Sequence, residues 1–129
     1  MEKEFMLDES AFLVSETDDK GIVLFANEDF CQAAGYGREE LIGKNHNIVR
    51  HADMPKAAFK DLWDTVRAGK TWTGFVKNAR NGGGYYWVYA TVYPVVGGRG
   101  AGKGGYMSCR RMATRDEIKR AEELYKTMR

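Results

Sequence analysis

The chain has 129 residues, 43% of them hydrophobic and 29% charged, with a formal net charge of +2. This is an ordinary globular mixture of a size that suits one core, so a disordered chain is excluded. With nearly balanced charge and no block of like charges, neither nucleic acid nor an anionic membrane is an expected partner.

Cys31 and Cys109 lie far apart and form no CxxC or Cys/His spacing. Reduced thiols and a cytoplasmic setting are therefore expected. The first residues lead into DES rather than an apolar run, so no secretory leader is expected. No stretch approaches the roughly 20 apolar residues of a membrane span, and membrane association is expected only through another segment.

In chain order, FLVSETD (12–18) and GIVLFAN (21–27) read as two short strands joined by a DDKG turn. EDFCQAAGY reads as a helix ended by Gly35, and GREELIG as a second short helix. In PKAAFKDLWDTVRAGK, Phe59, Leu62, Trp63 and Val66 recur at helical spacing, with Pro55 in the first turn and Gly69 at the end. TWTGFVKN (71–78) alternates as a strand, placing Trp72, Gly74, Val76 and Asn78 on one face. YYWVYATVYPVV (85–96) is a long strand with Tyr86, Val88, Ala90 and Val92 on one face, and GYMSCRRMA (105–113) is the last strand. TRDEIKRAEELYKTMR is a helix opening on a capping box of Thr114 and Glu117. Elements segregated in this way predict an α+β fold, an antiparallel sheet with helices on one side.

GGRGAGKG (97–104) contains the front of a phosphate-binding loop. Gly104 stands where a Mg²⁺-holding hydroxyl would be needed, and a strand follows instead of a helix. A hairpin loop is the expectation.

NHNIVRHADMP (45–55) holds both histidines, with Arg50 between them. His46 and His51 are five residues apart rather than four, and no third nitrogen or sulfur ligand is near, which argues against a metal site. No serine or cysteine is identifiably paired with either histidine as a nucleophile, so no enzyme activity is expected. An anion site fits better. Arg50 offers a planar fork of donors, His51 adds another, and the helix starting near Pro55 adds its dipole. Taken singly, Asp53 reads as a helix N-cap, His46 as a loop histidine and Arg50 as a surface ion pair. Together, just before an aromatic helix, they point to a ligand wall. Trp72, Val76 and Asn78, beside Tyr86, Val88 and Ala90, form a matching strand face suited to a flat heteroaromatic ligand. Val76 and Val88 are expected to be ordinary core. An amide at Asn78 is harder to bury without a partner.

The stretches FANEDFCQAAGY, EELIGKNHNIVRHADMPKAAFKDLW, TWTGFVKN, YYWVYATVYPVV and GYMSCR, within residues 22–110, resemble a PAS domain. The run NIVRHADMPKAAFKDLW is similar to the flavin-binding PAS domain of bacterial aerotaxis receptors. The resemblance implies a PAS fold: a five-stranded antiparallel sheet, short helices on one face and a C-terminal helix. It also implies a noncovalent FAD. The implied binding residues are Arg50, His51, Asp53 and Asn78, with Asn27 and Trp72 near the cofactor. His46, Trp63 and Arg110 complete the candidate set, Arg110 as a cation near the ring edge that would favour an anionic reduced flavin. Ala52 stands where the family usually has proline, the glycine loop is longer, and the cysteine of light-sensing relatives is missing from residues 45–50. No photochemical adduct is therefore expected.

The division implied is an N-terminal cap (1–11), a sensor domain (12–113) and an output helix (114–129). Ile118, Ala121, Tyr125 and Met128 follow coiled-coil spacing, and packing back on the domain is equally compatible. The expected partners are a downstream chemotaxis signalling region and a second copy of the chain. Two rival readings remain open at this point: a haem-binding gas sensor with a histidine as axial ligand, and a module without cofactor that mediates protein contacts.

Overall fold

The computed structural model describes residues 2–96 and 104–128. The glycine-rich loop, Gly104 apart, lies outside the described residues.

Five antiparallel strands form one sheet: β1 (Phe12–Asp18), β2 (Val23–Ala26), β3 (Trp72–Ala79), β4 (Tyr85–Val95) and β5 (Gly105–Met112), in the order β2-β1-β5-β4-β3. Between β2 and β3 the chain crosses one face as α1 (Glu28–Ala34), α2 (Arg38–Leu41), a single 3₁₀ turn (His46–Val49) and α3 (Lys56–Arg67). β5 then returns to the sheet centre, pairing β1 and β4 in full register, so Leu13 faces Arg110 and Ala90 faces Arg110 from the other side.

Local chemistry sets these boundaries. The Asn27 side chain accepts from Phe30 N–H at 3.0 Å and caps α1. The same amide accepts from Val14 N–H (3.0 Å) and donates to the Phe12 carbonyl (2.7 Å), fastening the start of α1 to β1. α1 ends at Gly35, whose φ of 76° closes bonds from the Gly35 and Tyr36 N–H groups to the Cys31 carbonyl. Arg80, from the end of β3's hairpin, donates to the Ala33 and Gln32 carbonyls at 2.7 and 3.0 Å, where the helix dipole is negative. Pro55 takes the N-cap position of α3, so Asp53 is not the cap of that helix.

The core lies between the sheet and this helical layer. Leu13, Val23, Phe30, Leu41, Val49, Val66, Tyr86 and Val88 are fully buried. The short helices lie on one side as expected, and the C-terminal helix α4 (Arg115–Met128) packs on the reverse face, a side that helical segregation alone did not indicate. Tyr125 stacks on Trp87 with ring centroids 6.3 Å apart and donates to the Phe75 carbonyl at 2.5 Å. Trp87 alternates with the core-facing Tyr86 and Val88, so it points away from them. Ile118, Ala121 and Tyr125 are buried on the domain, the packing alternative to a coiled-coil seam. The Thr114–Glu117 capping box forms as the sequence implies. The N-terminal segment joins the same end of the molecule through Phe5 N–H to Tyr85 carbonyl (2.7 Å) and an ion pair between Glu4 and Arg115. Among the described residues no helix is long and apolar enough to cross a membrane.

Replacing Tyr125 by Phe removes one part-buried hydrogen bond and leaves the stacking intact. Urea denaturation should show a loss of about 1 kcal/mol. Unchanged stability would mean that the bond does not anchor α4.

Candidate functional site

A half-open cavity of about 250 Å³ separates the sheet from the 3₁₀ turn and α3. Its floor is made of small and branched side chains, Val76, Ala90, Val92 and Ser108, which leave room for a flat ring. Phe59, Leu62 and Trp63, successive positions on the apolar face of α3, form the wall. Its charged lining is of one sign. Lys20, Arg50, Arg67 and Arg110 border it, and no aspartate or glutamate does among the described residues. The first three are exposed and so stand at the solvent rim, whereas Arg110 is only 2% exposed and belongs to the floor.

Arg110 is held by neutral partners. Its guanidinium donates to Ser15 Oγ (2.8 Å) and to His46 Nε2 (3.2 Å), and it lies over the Phe30 ring at 4.3 Å. Burial pushes its pKa down to about 10, so it stays protonated at neutral pH. Arginine can only donate, so His46 Nε2 accepts, which places the imidazole proton on Nδ1. Ser15 Oγ–H also donates to this nitrogen at 3.0 Å. Burial first, and the Arg110 charge second, lower the His46 pKa to about 3. The ring stacks on Phe30 at 5.5 Å with 9° between planes. Phe30 is thus a platform for both groups, and the Asn27 cap on α1 holds it there.

The structure brings Arg50, His46, Trp63, Asn78 and Arg110 together around this cavity. Arg50 stacks on Phe59 at 3.8 Å, and partial burial lowers its pKa. Asn78 is 3% exposed, and its amide donates to the Tyr86 hydroxyl at 3.3 Å. Trp63 meets Tyr106 edge-on at 5.5 Å.

The other four candidates are directed elsewhere, each toward a partner of its own. His51 Nε2–H donates to the Glu2 carboxylate at 2.9 Å, while Nδ1 accepts from the Asp53 N–H at 2.9 Å. The Asp53 carboxylate accepts from Lys77 at 2.8 Å, beside a separate pocket that Trp87 and Tyr125 border. Trp72 Nε1–H donates to Asp61 of α3 at 2.9 Å, and its ring lies so close over Gly74 that a Cβ there would sit 2.5 Å from it. Asn27 is the fastener of α1 described above. None of these four borders the cavity. Periodicity in the chain did not single out Ser15, Thr17 or Phe30, and it marked Phe59 only as part of the apolar face of α3. The alternation of β1, which puts Leu13, Ser15 and Thr17 on one face, was the available signal. His46 and His51 point to different partners, and no group of three or more His, Cys, Asp or Glu capable of holding a metal occurs among the described residues.

A histidine held neutral by the fold makes stability depend on pH in a defined direction. The unfolded chain takes up a proton near the ordinary value of 6.5, whereas folded His46 resists it down to about 3. Its contribution is therefore complete above pH 6.5 and is lost as pH falls toward 3. Glu117, lowered from 4.5 to about 2 chiefly by its hydrogen bond from Arg111, loses its contribution below 4.5 and so changes little between pH 7 and pH 5. Urea midpoints at pH 7 and pH 5 should fall in the native chain and change much less in His46→Gln. An equal fall in both would show that His46 is not held neutral.

The PAS fold family matches residues 23–101. The aerotaxis receptor of Escherichia coli strain K12 is 48% identical over 116 residues, 90% of this chain and 22% of that protein. A nitrogen fixation regulatory protein of Klebsiella oxytoca is 27% identical over 95 residues, 74% of this chain and 19% of its own length. The chain thus spans about a fifth of these curated relatives. Among solved structures, a light-oxygen-voltage domain studied with a flavin analogue superposes with a TM-score of 0.72 at 18% identity, covering 92% of this chain and 87% of the other. The light-state structure of the blue-light photoreceptor Aureochrome1 LOV gives 0.72 at 16% identity, covering 92% of each chain. At these identities the two structures establish the fold alone. With the five-stranded sheet, its strand order and the family match in agreement, the chain belongs to the PAS family.

Proposed function

We propose that the chain is a flavin-binding PAS sensor domain, that its cofactor is FAD, and that it reports redox, oxygen or energy state to a chemotaxis signalling module. The observation that carries this reading is Arg110, a buried cation on the floor of a cavity without a carboxylate beside it. A charge in that position is costly unless something electron-rich is bound against it. The polar edge of a flavin ring supplies carbonyl oxygens and ring nitrogens for such a cation.

The rest of the lining agrees. The Val76–Ala90–Val92 floor and the Phe59–Trp63 wall suit a flat aromatic system, and Asn78 adds an amide for an edge hydrogen bond. Lys20, Arg50 and Arg67 at the rim suit the phosphates of a dinucleotide. The similarity of NIVRHADMPKAAFKDLW to the flavin-binding PAS domain of aerotaxis receptors supports the same ligand. Haem ligation is less well supported, because Nε2 of each histidine is already engaged, His46 by Arg110 and Ser15, His51 by Glu2.

Bound flavin supplies reversible electron uptake. This chain's residues set its ease: protonated Arg110 favours the negatively charged reduced form, and Ser15 with neutral His46 holds the guanidinium in place. For output, β3 presents Asn78 to the cavity and its neighbour Lys77 to the reverse face, where Lys77 pairs with Asp53. Tyr125 of α4 is bonded to Phe75 of the same strand. A shift at Asn78 therefore has a short route to α4, three residues along β3 and one hydrogen bond, and from there to whatever signalling region follows it. Because the chain matches about a fifth of its curated relatives, the transducer and a homodimeric assembly form part of the proposal.

Fluorescence titration of cofactor-stripped protein should rank FAD above riboflavin by at least about tenfold, because only FAD reaches the rim cations with phosphates. Equal affinities would remove the phosphate role. In loaded protein, Arg110→Gln should lower the midpoint potential by about 30 mV or more, about 1.4 kcal/mol for two electrons. A potential that does not move would contradict the role of the buried cation.

A further inference from the structure

Two buried side-chain polar atoms make no hydrogen bond among the described residues, and both belong to residues that line this cavity: Arg110 Nε and Thr17 Oγ1. Orphaned polar groups are rare in folded proteins, since burial strips them of water and returns nothing. Two orphans on one cavity are the kind of groups that a polar ligand would pair. Thr17 is only 6% exposed, so solvent does not satisfy it. Its alternation with Leu13 and Ser15 places it on the cavity side of β1, next to a bulge between Glu16 and Thr17 that interrupts the pairing with β2.

The register gives the spacing of the two orphans. Arg110 stands opposite Leu13, whereas Thr17 stands opposite Tyr106, four residues further along the same pair of strands. At ~3.3 Å per residue the two backbone levels are about 13 Å apart, but the Arg110 guanidinium reaches back to Ser15 Oγ at 2.8 Å, which brings the two polar ends to roughly two residues apart along β1. Ser15 and Ser108 face each other between them, and Ser15 is already committed to Arg110 and His46. A ligand that satisfies both orphans needs hydrogen-bonding groups at two places along β1. A flavin nucleotide has that form: ring carbonyls at one end, and a hydroxylated chain leading to phosphates. A plain apolar ring does not.

We propose that Thr17 is a cofactor-binding residue whose hydroxyl hydrogen-bonds a polar group of the bound flavin nucleotide, at the end of the cavity away from Arg110. This rests on the flavin reading above and adds a contact on β1 to it. A threonine here for shape alone has a better substitute. Valine has the same outline, equal strand preference and no group to leave unpaired. The hydroxyl is therefore a burden to the empty domain and an asset to the loaded one.

That opposition of signs is the test. Thr17→Val and Thr17→Ser are prepared in the full chain, stripped of cofactor, and compared with the native protein for melting temperature and for FAD affinity. Thr17→Val should melt higher than the native chain without cofactor, yet bind FAD about fivefold more weakly. Thr17→Ser keeps the hydroxyl and should bind within about twofold of native. A Thr17→Val protein that binds FAD as tightly as native, or that melts lower when stripped, overturns the role of Thr17 while leaving the flavin reading standing. Native protein that takes up no FAD overturns the flavin reading and this role with it.

Discussion

The arrangement of the cavity side of this domain turns on one buried positive charge. Arg110 sits in the central strand of the sheet, away from bulk water, with a serine, a neutral imidazole and an aromatic face as its partners. None of these cancels its charge. The surroundings have to keep it protonated, fixed and accessible from one side, and much of the local architecture meets those needs. Asn27 caps α1 and ties it to β1, α1 places Phe30 beneath the guanidinium, and the 3₁₀ turn brings His46 over the same ring. His46 stays neutral because burial and Arg110 both oppose a second cation there. A cavity with a fixed positive charge is the outcome, and the electron-rich ligand proposed for it is the complement of that charge.

Much of the fold was legible in the chain because its local signals agree with one another. Alternation marked the strands, Gly35 and Gly69 stopped their helices, and the Thr114–Glu117 box opened the last one. The side of the sheet that α4 covers was not legible. Its apolar positions, Ile118, Ala121 and Tyr125, fit a coiled-coil seam and a sheet-packing face equally well. The deciding contacts, Tyr125 with Trp87 and with the Phe75 carbonyl, join residues far apart in sequence.

The site was legible by composition and less so by direction. The run around Arg50 stood out, and Arg50, His46, Asn78, Trp63 and Arg110 do meet at one cavity. His51 and Asp53 share that run, but the backbone turns between them and Arg50. They reach Glu2 and Lys77 instead, one a partner from the far end of the chain and the other from β3. Asn27 and Trp72, implied near the cofactor by family resemblance, act in this structure as fasteners between elements. Ser15 and Thr17 went unnoticed because hydroxyl residues in a strand carry no signal of their own. They acquire meaning only when β5 is laid beside β1 and Arg110 arrives at the level of Leu13.

The most direct measurement is the absorption spectrum of the purified protein, followed by identification of whatever heat releases from it. The account predicts a yellow protein with flavin bands that releases FAD. A single intense haem band would contradict it by assigning a histidine to iron. A colourless protein that also refuses added FAD would contradict it by leaving the cavity without the electron-rich ligand that Arg110 requires.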